Sequence, residues 1–145
     1  MRIAKYEELE SISLLMNALF HTQMQEAYSK EGQESFLSQI TLPSLQERFH
    51  KSSVFYIDAT IDTVLEIENS SHIAFLFSKI KGQGNAHKLC QYAFEKLPDG
   101  ILSVGAFSGA IGFYEKEGFL KVAKEKVVHG LAFTLMAKTI TSSEL

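Results

Sequence analysis

The first fifty residues carry apolar positions at the spacing of helices. Over residues 7–20, apolar side chains recur every three or four positions, which predicts an amphipathic helix. These side chains are Leu9, Ile12, Met16, Leu19 and Phe20. Residues 33–40 predict a shorter second helix, and Pro43 is expected to end that region. Ser44 and Glu47 then fit a capping box at the start of a third helix.

The pattern next changes to that of strands. Residues 54–57 and 64–67 are short runs of apolar and β-branched side chains, and the polar residues 58–62 predict a turn between them. After a second turn at residues 69–71, residues 72–77 are apolar enough to lie centrally in a sheet. The three runs predict an antiparallel meander.

A second helix-forming region follows the meander. The helical period begins at Gly84 and stops at residues 98–100, which read Pro-Asp-Gly. A buried strand is expected at residues 101–104. Ser108 is expected to cap a short helix, and Gly118 lies where a left-handed C-terminal cap belongs.

The closing segment alternates well enough to predict a pair of strands. Residues 119–128 and 131–137 would form an antiparallel pair around the turn at His129 and Gly130. The predicted order is helices, a meander, a strand–helix–strand unit, a short helix and a hairpin. That order predicts an α+β fold with helices on a mixed central sheet, formed by one domain over residues 1–145.

Composition narrows the class of protein. The chain has 145 residues, of which 46% are apolar and 21% charged, so a packed core is expected and a disordered chain is not. No stretch approaches ~18 consecutive apolar residues, and acidic residues precede any apolar run, so we expect neither a membrane span nor a signal peptide. The net charge of -3 argues against sequence-independent binding of nucleic acid. The single cysteine, Cys90, predicts a buried thiol in a reducing cytoplasm.

A glycine-rich segment between a predicted strand and a predicted helix is the first candidate site. Residues 81–86 read Lys-Gly-Gln-Gly-Asn-Ala, and Lys79, Lys81 and Lys88 surround the glycines. Glycine lets the backbone approach a ligand closely, and the helix start offers unpaired N–H groups, so the segment suits a phosphate or pyrophosphate. It fits neither the Walker pattern nor the full dinucleotide fingerprint. A glycine-rich turn that binds nothing stays open as the alternative.

Three segments together resemble one known family. Residues 81–86 match Lys-x-x-Gly-x-Ala, residues 110–119 read AIGFYEKEGF, and residues 130–138 read GLAFTLMAK. They resemble the pyrophosphate signature, the Phe-Tyr-Glu-Lys-x-Gly-Phe segment and the final strand of the GCN5-related N-acetyltransferases (GNAT). Residues 28–37 and 65–73 resemble one bacterial branch of that family. The resemblance spans nearly the whole chain in the correct order.

The resemblance implies a GNAT-like central sheet whose two parallel central strands splay apart around acetyl-CoA. It implies that the strand before the glycine segment, the segment and the helix start bind this cofactor. These residues are Leu76, Phe77, Ser78, Lys81, Gly82, Gln83, Gly84, Asn85, Ala86 and His87. Tyr114 would protonate the departing thiolate. The implied activity moves an acetyl group to the primary amine of a small molecule or peptide, in a pocket built by the N-terminal helices and the last hairpin. A homodimer formed near the edge strand of residues 131–136 is also expected.

Several positions keep a second interpretation open. The resemblance to the bacterial branch implies a general base at Glu66, acting directly or through a water, and a carboxylate on the solvent face of its strand is an equally open interpretation. His72 fits a base or a structural residue at a strand edge. The histidines are His21, His50, His72, His87 and His129. They show no ligand spacing, so no metal is expected.

Two departures from the family pattern bear on activity. Lys81 stands where the family usually has arginine or glutamine, and Gly105 stands where it commonly has asparagine. They leave a non-catalytic acyl-CoA-binding or sensing protein as the alternative to an enzyme. An interaction protein that keeps only the fold is a third possibility.

Overall fold

The computed structural model describes residues 1–141. Its helices are α1 (Leu9–Leu19), α2 (Lys30–Gln39), α3 (Leu42–Lys51), α4 (Asn85–Phe94) and α5 (Ile111–Lys116). Its strands are β1 (Arg2–Ile3), β2 (Ser53–Ile57), β3 (Thr63–Glu68), β4 (His72–Ser78), β5 (Gly100–Ala106), β6 (Leu120–Lys121), β7 (Lys126–Val128) and β8 (Leu131–Ile140). The mixed α+β class predicted from the sequence is confirmed. Within residues 1–141, no helix is long and apolar enough to cross a bilayer.

The strands form one sheet in the order β1-β2-β3-β4-β5-β8, and both β6 and β7 pair with the far side of β8. The neighbours are antiparallel except for β4 and β5. That parallel pair is joined only at His72–Ser103 and Ile73–Val104. Beyond these residues the two strands diverge, so the splayed central pair that the resemblance implies is present.

A β-bulge in β4 coincides with the point of divergence. Glu66 of β3 pairs with Phe75, but the next residue, Ile67, pairs with Ile73, so Ala74 is the extra residue. A bulge bends its strand and increases the local twist. The bend therefore lies where β4 leaves β5 and re-aims the residues that follow it.

The core lies in two layers, one on each face of the sheet. On one face, α1, α2 and α3 pack on β2, β3 and β4. On the other face, α4 and α5 pack through buried residues that include Leu89, Ala93 and Tyr114. Cys90 is buried in this second layer, as predicted, and burial raises the pKa of its thiol. Because β4 and β5 separate between the layers, both faces border the same gap.

Three local predictions need correction. Thr41, and not Ser44, caps α3, because the hydroxyl of Thr41 accepts the Ser44 N–H. Pro43 lies in the first turn of α3, where a missing N–H costs nothing, so it begins the helix instead of ending the previous region. Ser108 makes no capping hydrogen bond; Phe107 and Ala110 occupy the N-cap positions of the two short helical turns there.

The predicted closing hairpin has a more complex form. The first partner of β8 is broken into β6 and β7, and β8 has β5 on its other side. The strand expected near an edge is therefore interior, and β6 and β7 form the edge. Gly118 has a φ of 94° and follows α5, as the cap prediction required.

Candidate functional site

The gap between β4 and β5 opens into a cleft of about 690 Å³. One side is lined by β4 from Ile73 to Ser78 and the other by β5 from Val104 to Ala106. After Ile73, the edge of β4 that faces β5 has no strand partner. Backbone amides and carbonyls at such an edge remain available to an extended ligand. The volume falls in the range of pockets for small molecules and cofactors.

The glycine segment and the start of α4 form one end of the cleft. Gly82 and Gly84 have φ values of 78° and 76°, in the left-handed region that glycine adopts without strain. No atom lies within 4 Å of a Cβ built at either glycine, so the space in front of them is open. Gly84 is the N-cap of α4 and offers no capping side chain. The first N–H groups of α4 therefore keep their hydrogen-bonding capacity.

This glycine cradle fits a pyrophosphate. The first α4 residues, Asn85, Ala86 and His87, line the cleft together with Lys81. A helix N-terminus attracts anions through its N–H groups and its dipole, and a lysine nearby adds a positive charge. A side chain at Gly84 would fill the space that a phosphate needs.

Tyr114 borders the same cleft from α5. Its side chain is 5% exposed, and its ring makes edge-to-face contacts with Phe113 and Phe119 at centroid distances of 5.3 and 5.4 Å. Burial raises the pKa of its phenol, so the group is a neutral donor at physiological pH. Tyr114 is itself one of the residues that line the cleft.

A contact that the sequence analysis missed ties the two walls together. His87 Nδ1 lies 2.6 Å from Glu117 Oε2, and Lys138 Nζ donates to the Glu117 carbonyl oxygen at 2.8 Å. Glu117 directly follows α5, whereas His87 lies in the first turn of α4. The glycine cradle and the helix that carries Tyr114 are therefore held at a fixed separation. No sequence pattern could have revealed a pair that is thirty residues apart.

Glu66 is neither exposed on the solvent face of its strand nor placed in the cleft as a general base would be. Its side chain is 0% exposed, which contradicts a position on a solvent face. Arg48 donates to both carboxylate oxygens, from Nε at 2.7 Å and from Nη2 at 3.1 Å, and Ser53 Oγ donates at 2.6 Å. Glu66 does not line the cleft. It forms a buried ion pair between β3 and α3.

His72 is also held by a partner. It is half-buried, its Nδ1 lies 2.8 Å from Ser103 Oγ, and burial lowers its pKa. It lies where β4 and β5 are still paired and does not line the cleft. This geometry favours the structural interpretation. Among the described residues, no group of three histidine, cysteine, aspartate or glutamate side chains is placed to hold a metal ion.

The structure brings most of the predicted site residues to one cleft. Those that line it are Leu76, Phe77, Ser78, Lys81, Gly82, Gly84, Asn85, Ala86, His87 and Tyr114. Gln83 and Glu66 do not. Gly105 lines the cleft on one side, and a Cβ there would lie 3.2 Å from the ring of Phe133. A side chain at this position would therefore press on the ring of Phe133 in the neighbouring strand.

The N-terminal helices supply lining residues for which the sequence gave only a general expectation. Gln23, Met24, Tyr28 and Phe36 line the cleft. The last hairpin does not line it, but touches α2, because a Cβ at Gly32 would lie 2.3 Å from the carbonyl oxygen of Gly130. The hairpin therefore supports this wall from outside.

Comparisons with known proteins agree on a family. A family model for the acetyltransferase (GNAT) domain matches residues 24–140. Among solved structures, a GCN5-related N-acetyltransferase from Rhodopseudomonas palustris is similar, with a TM-score of 0.76 and 19% identity over 95% of this chain and 93% of that one. An aminoglycoside 6'-N-acetyltransferase complexed with coenzyme A has a TM-score of 0.65 and 14% identity over 99% of both chains. At these identities the structures support the fold alone. No curated protein matches the chain.

Proposed function

Because the chain belongs to the GNAT acetyltransferase family, we propose that it moves an acetyl group from acetyl-CoA to a primary amine by direct transfer. In the balanced reaction a C–N bond forms, the C–S bond breaks, the amine loses a proton and the thiolate gains one. The observation that carries the proposal is a single cleft bordered by the glycine cradle, by the unpaired edge of β4 and by Tyr114. The acceptor is a small-molecule or peptide amine, and the reaction takes place in the cytoplasm.

Different residues of the cleft would bind different parts of acetyl-CoA. Residues 82–87 would hold the pyrophosphate through backbone N–H groups, and Lys81 would add a charge. Leu76, Phe77 and Ser78 would present backbone groups of β4 to the pantetheine amides. When bound, acetyl-CoA supplies a thioester carbonyl that an amine can attack. Holding two reactants in line contributes about 7–11 kcal/mol in well-oriented systems, so few catalytic side chains are needed.

Tyr114 is the proposed general acid. Its phenol is protonated at neutral pH, its side chain lines the cleft, and neighbouring rings fix its orientation. A neutral donor makes the departure of a thiolate easier as the C–S bond breaks.

The proton of the amine needs a separate acceptor. Glu66 stays a prediction for this role, but the geometry supports it weakly, because Arg48 and Ser53 engage both of its carboxylate oxygens. Within residues 1–141, Glu117 is the only carboxylate that lines the cleft, and it is paired with His87. We therefore propose that the amine loses its proton to water at the open side of the cleft.

A homodimer is part of the proposal, with β6 and β7 at the interface. Four large apolar side chains on or beside these edge strands are exposed. They are Leu120, Val122, Val127 and Val128. An exposed apolar edge favours pairing with a second chain. Light scattering at micromolar concentration should give twice the monomer mass, and a monomer mass would contradict this part.

The function is tested by release of coenzyme A thiol across a panel of amines. Acetyl transfer predicts release that depends on both acetyl-CoA and one class of amine. If acetyl-CoA raises the melting temperature but no amine releases thiol, the chain is instead the acyl-CoA-binding protein that Lys81 and Gly105 left as the alternative. At ~100 times the dissociation constant, binding should add ~2.7 kcal/mol to stability. If acetyl-CoA has no effect on melting, both functions are excluded.

A further inference from the structure

We infer that the acceptor is a primary monoamine carried by an aromatic or branched apolar body, and not a polycation such as a polyamine or an aminoglycoside. The inference rests on the proposed function, since it names the acceptor of that same reaction. It concerns the part of the cleft that lies on the face of the sheet opposite α4. This part is lined by β4, by α2 and by the residues just before α2. We call Tyr28, Phe36, Phe75 and Phe77, which line it, the aromatic wall.

The aromatic wall is a preassembled set of rings. Phe36 meets Phe75 and Phe77 edge to face, with centroids 5.4 and 6.0 Å apart, and lies 6.0 Å from Tyr28. Phe20, which is fully buried, stacks on Phe36 from behind at 4.6 Å. Such contacts hold the rings in place before a ligand arrives, so little side-chain freedom is lost on binding. An apolar body can therefore bury its surface there at a low entropic cost.

The charged side chains of the cleft lie elsewhere. Those that line it are Lys81, Lys116 and Glu117, which belong to the glycine segment and to the end of α5. Over the described residues, no acidic side chain of α1 or α2 or of the turns between them lines the cleft. The aromatic wall thus offers ring faces and few charges.

One acidic residue, Glu66, lies opposite a residue of the aromatic wall in the sheet, and its charge is neutralised. Glu66 is opposite Phe75 in the β3–β4 register. Its partner Arg48 places its guanidinium carbon 5.2 Å from the centroid of the Phe75 ring. The arginine therefore neutralises the carboxylate, and the ion pair offers no free counterion to an ammonium group that approaches this region.

These features discriminate between classes of amine. A polyamine or an aminoglycoside carries several ammonium groups, and each would lose water without gaining a carboxylate. A monoamine carries one, which must lose its proton before the nitrogen can attack. Its apolar body gains contact with the rings, and ring faces tolerate a single cation. The likeness to an aminoglycoside acetyltransferase does not oppose the inference, because at 14% identity it concerns the fold.

The test measures amine binding separately from catalysis. Titration calorimetry on the chain, alone and saturated with coenzyme A, compares 2-phenylethylamine and 3-methylbutylamine with spermidine and kanamycin. We expect the two monoamines to bind at least ten-fold more tightly than either polycation, and to be preferred in thiol release with acetyl-CoA. Tighter binding of spermidine or kanamycin would overturn the inference. If the polycation that binds more tightly also caused release of coenzyme A thiol from acetyl-CoA, the proposed function would stand although the inference about the acceptor had failed. Binding of monoamines without thiol release from any amine would support the preference and contradict the proposed function.

A substitution that places a charge in the aromatic wall provides a second test of the inference. Tyr28→Glu puts a carboxylate at the half-buried edge of the rings, so affinity for 2-phenylethylamine should fall at least ten-fold and the preference should shift toward spermidine. The matched control is Gln39→Glu, which adds the same charge on an exposed position of α2. The control should bind both amines as the parent does. An unchanged preference in a folded Tyr28→Glu chain would overturn the inference, and if that variant does not fold, the titrations of the parent chain decide.

Discussion

Removing the ion-pair partner of Glu66 should destabilise the fold. Glu66 is fully buried, and Arg48 makes two of the three hydrogen bonds that its carboxylate accepts from side chains. Arg48→Met keeps much of the apolar stem of the side chain but leaves a buried carboxylate without a counterion. Breaking a buried ion pair in this way costs about 3–5 kcal/mol.

Urea denaturation measures the effect. The chain contains no tryptophan, so circular dichroism at 222 nm is the suitable signal. We expect a loss of about 3–5 kcal/mol at pH 7. The double variant Arg48→Met/Glu66→Met removes the buried charge and should recover most of the stability. A loss below about 1 kcal/mol for Arg48→Met would refute the reasoning.

A substitution of Glu66 itself separates the two roles proposed for this residue. If Glu66 is structural, Glu66→Gln should lower stability while turnover per folded molecule stays near the parental rate. If Glu66 is the general base, turnover should fall by about a hundred-fold or more with stability little changed. The second result would overturn our assignment of the amine proton to water.

Substitutions at four other positions test further contacts of the structure. Gly32→Ala should cost about 1–3 kcal/mol because its Cβ would lie 2.3 Å from the Gly130 carbonyl oxygen, whereas Gly112→Ala, with no atom within 4 Å, should gain about 0.5–1 kcal/mol. Equal effects of the two in urea would contradict the contact. Burial lowers the pKa of His72, so unfolding takes up a proton and stability should fall as the pH drops below about 6.5; melts of His72→Gln between pH 7 and pH 5 should lack that contribution. Tyr114→Phe should keep acetyl-CoA affinity and melting temperature and lower turnover by about ten- to a thousand-fold, and a parental rate of thiol release would make Tyr114 structural.

The parts of this fold that the sequence predicts are those set by local patterns. Helix periodicity placed the start of α4, but the helix ends at Phe94, before the breakers at residues 98–100 that were expected to stop it. The need for positive φ placed Gly84 and Gly118. Thr41 was missed as a cap because two hydroxyl residues flank Pro43, and the pattern alone favours the later one. Which hydroxyl reaches the helix start depends on the path of the preceding chain.

The contacts between distant segments lay beyond the sequence pattern. Alternation in β3 puts Glu66 on the same face as Val64, but nothing local indicates that Arg48 of α3 meets it there. The pair of His87 and Glu117 likewise joins two helices whose relative position is set by the whole sheet. The rings of the aromatic wall come from α2, from the residues just before it, and from the part of β4 that follows the bulge at Ala74. Periodicity carries no information on how these segments pack together.

Calorimetric titration of acetyl-CoA into the glycine-cradle variants tests the central claim most directly. Gly84→Val blocks the open space in front of the α4 N-terminus, so binding should be abolished, whereas Lys81→Ala removes one charge and should weaken binding only about ten-fold. Gly100→Val is the matched control, since it also replaces a positive-φ glycine with open space around it but lies outside the cleft; it should bind acetyl-CoA as the parent does. If Gly84→Val binds acetyl-CoA as tightly as the parent, the cradle is not the pyrophosphate site and the account of this cleft is wrong.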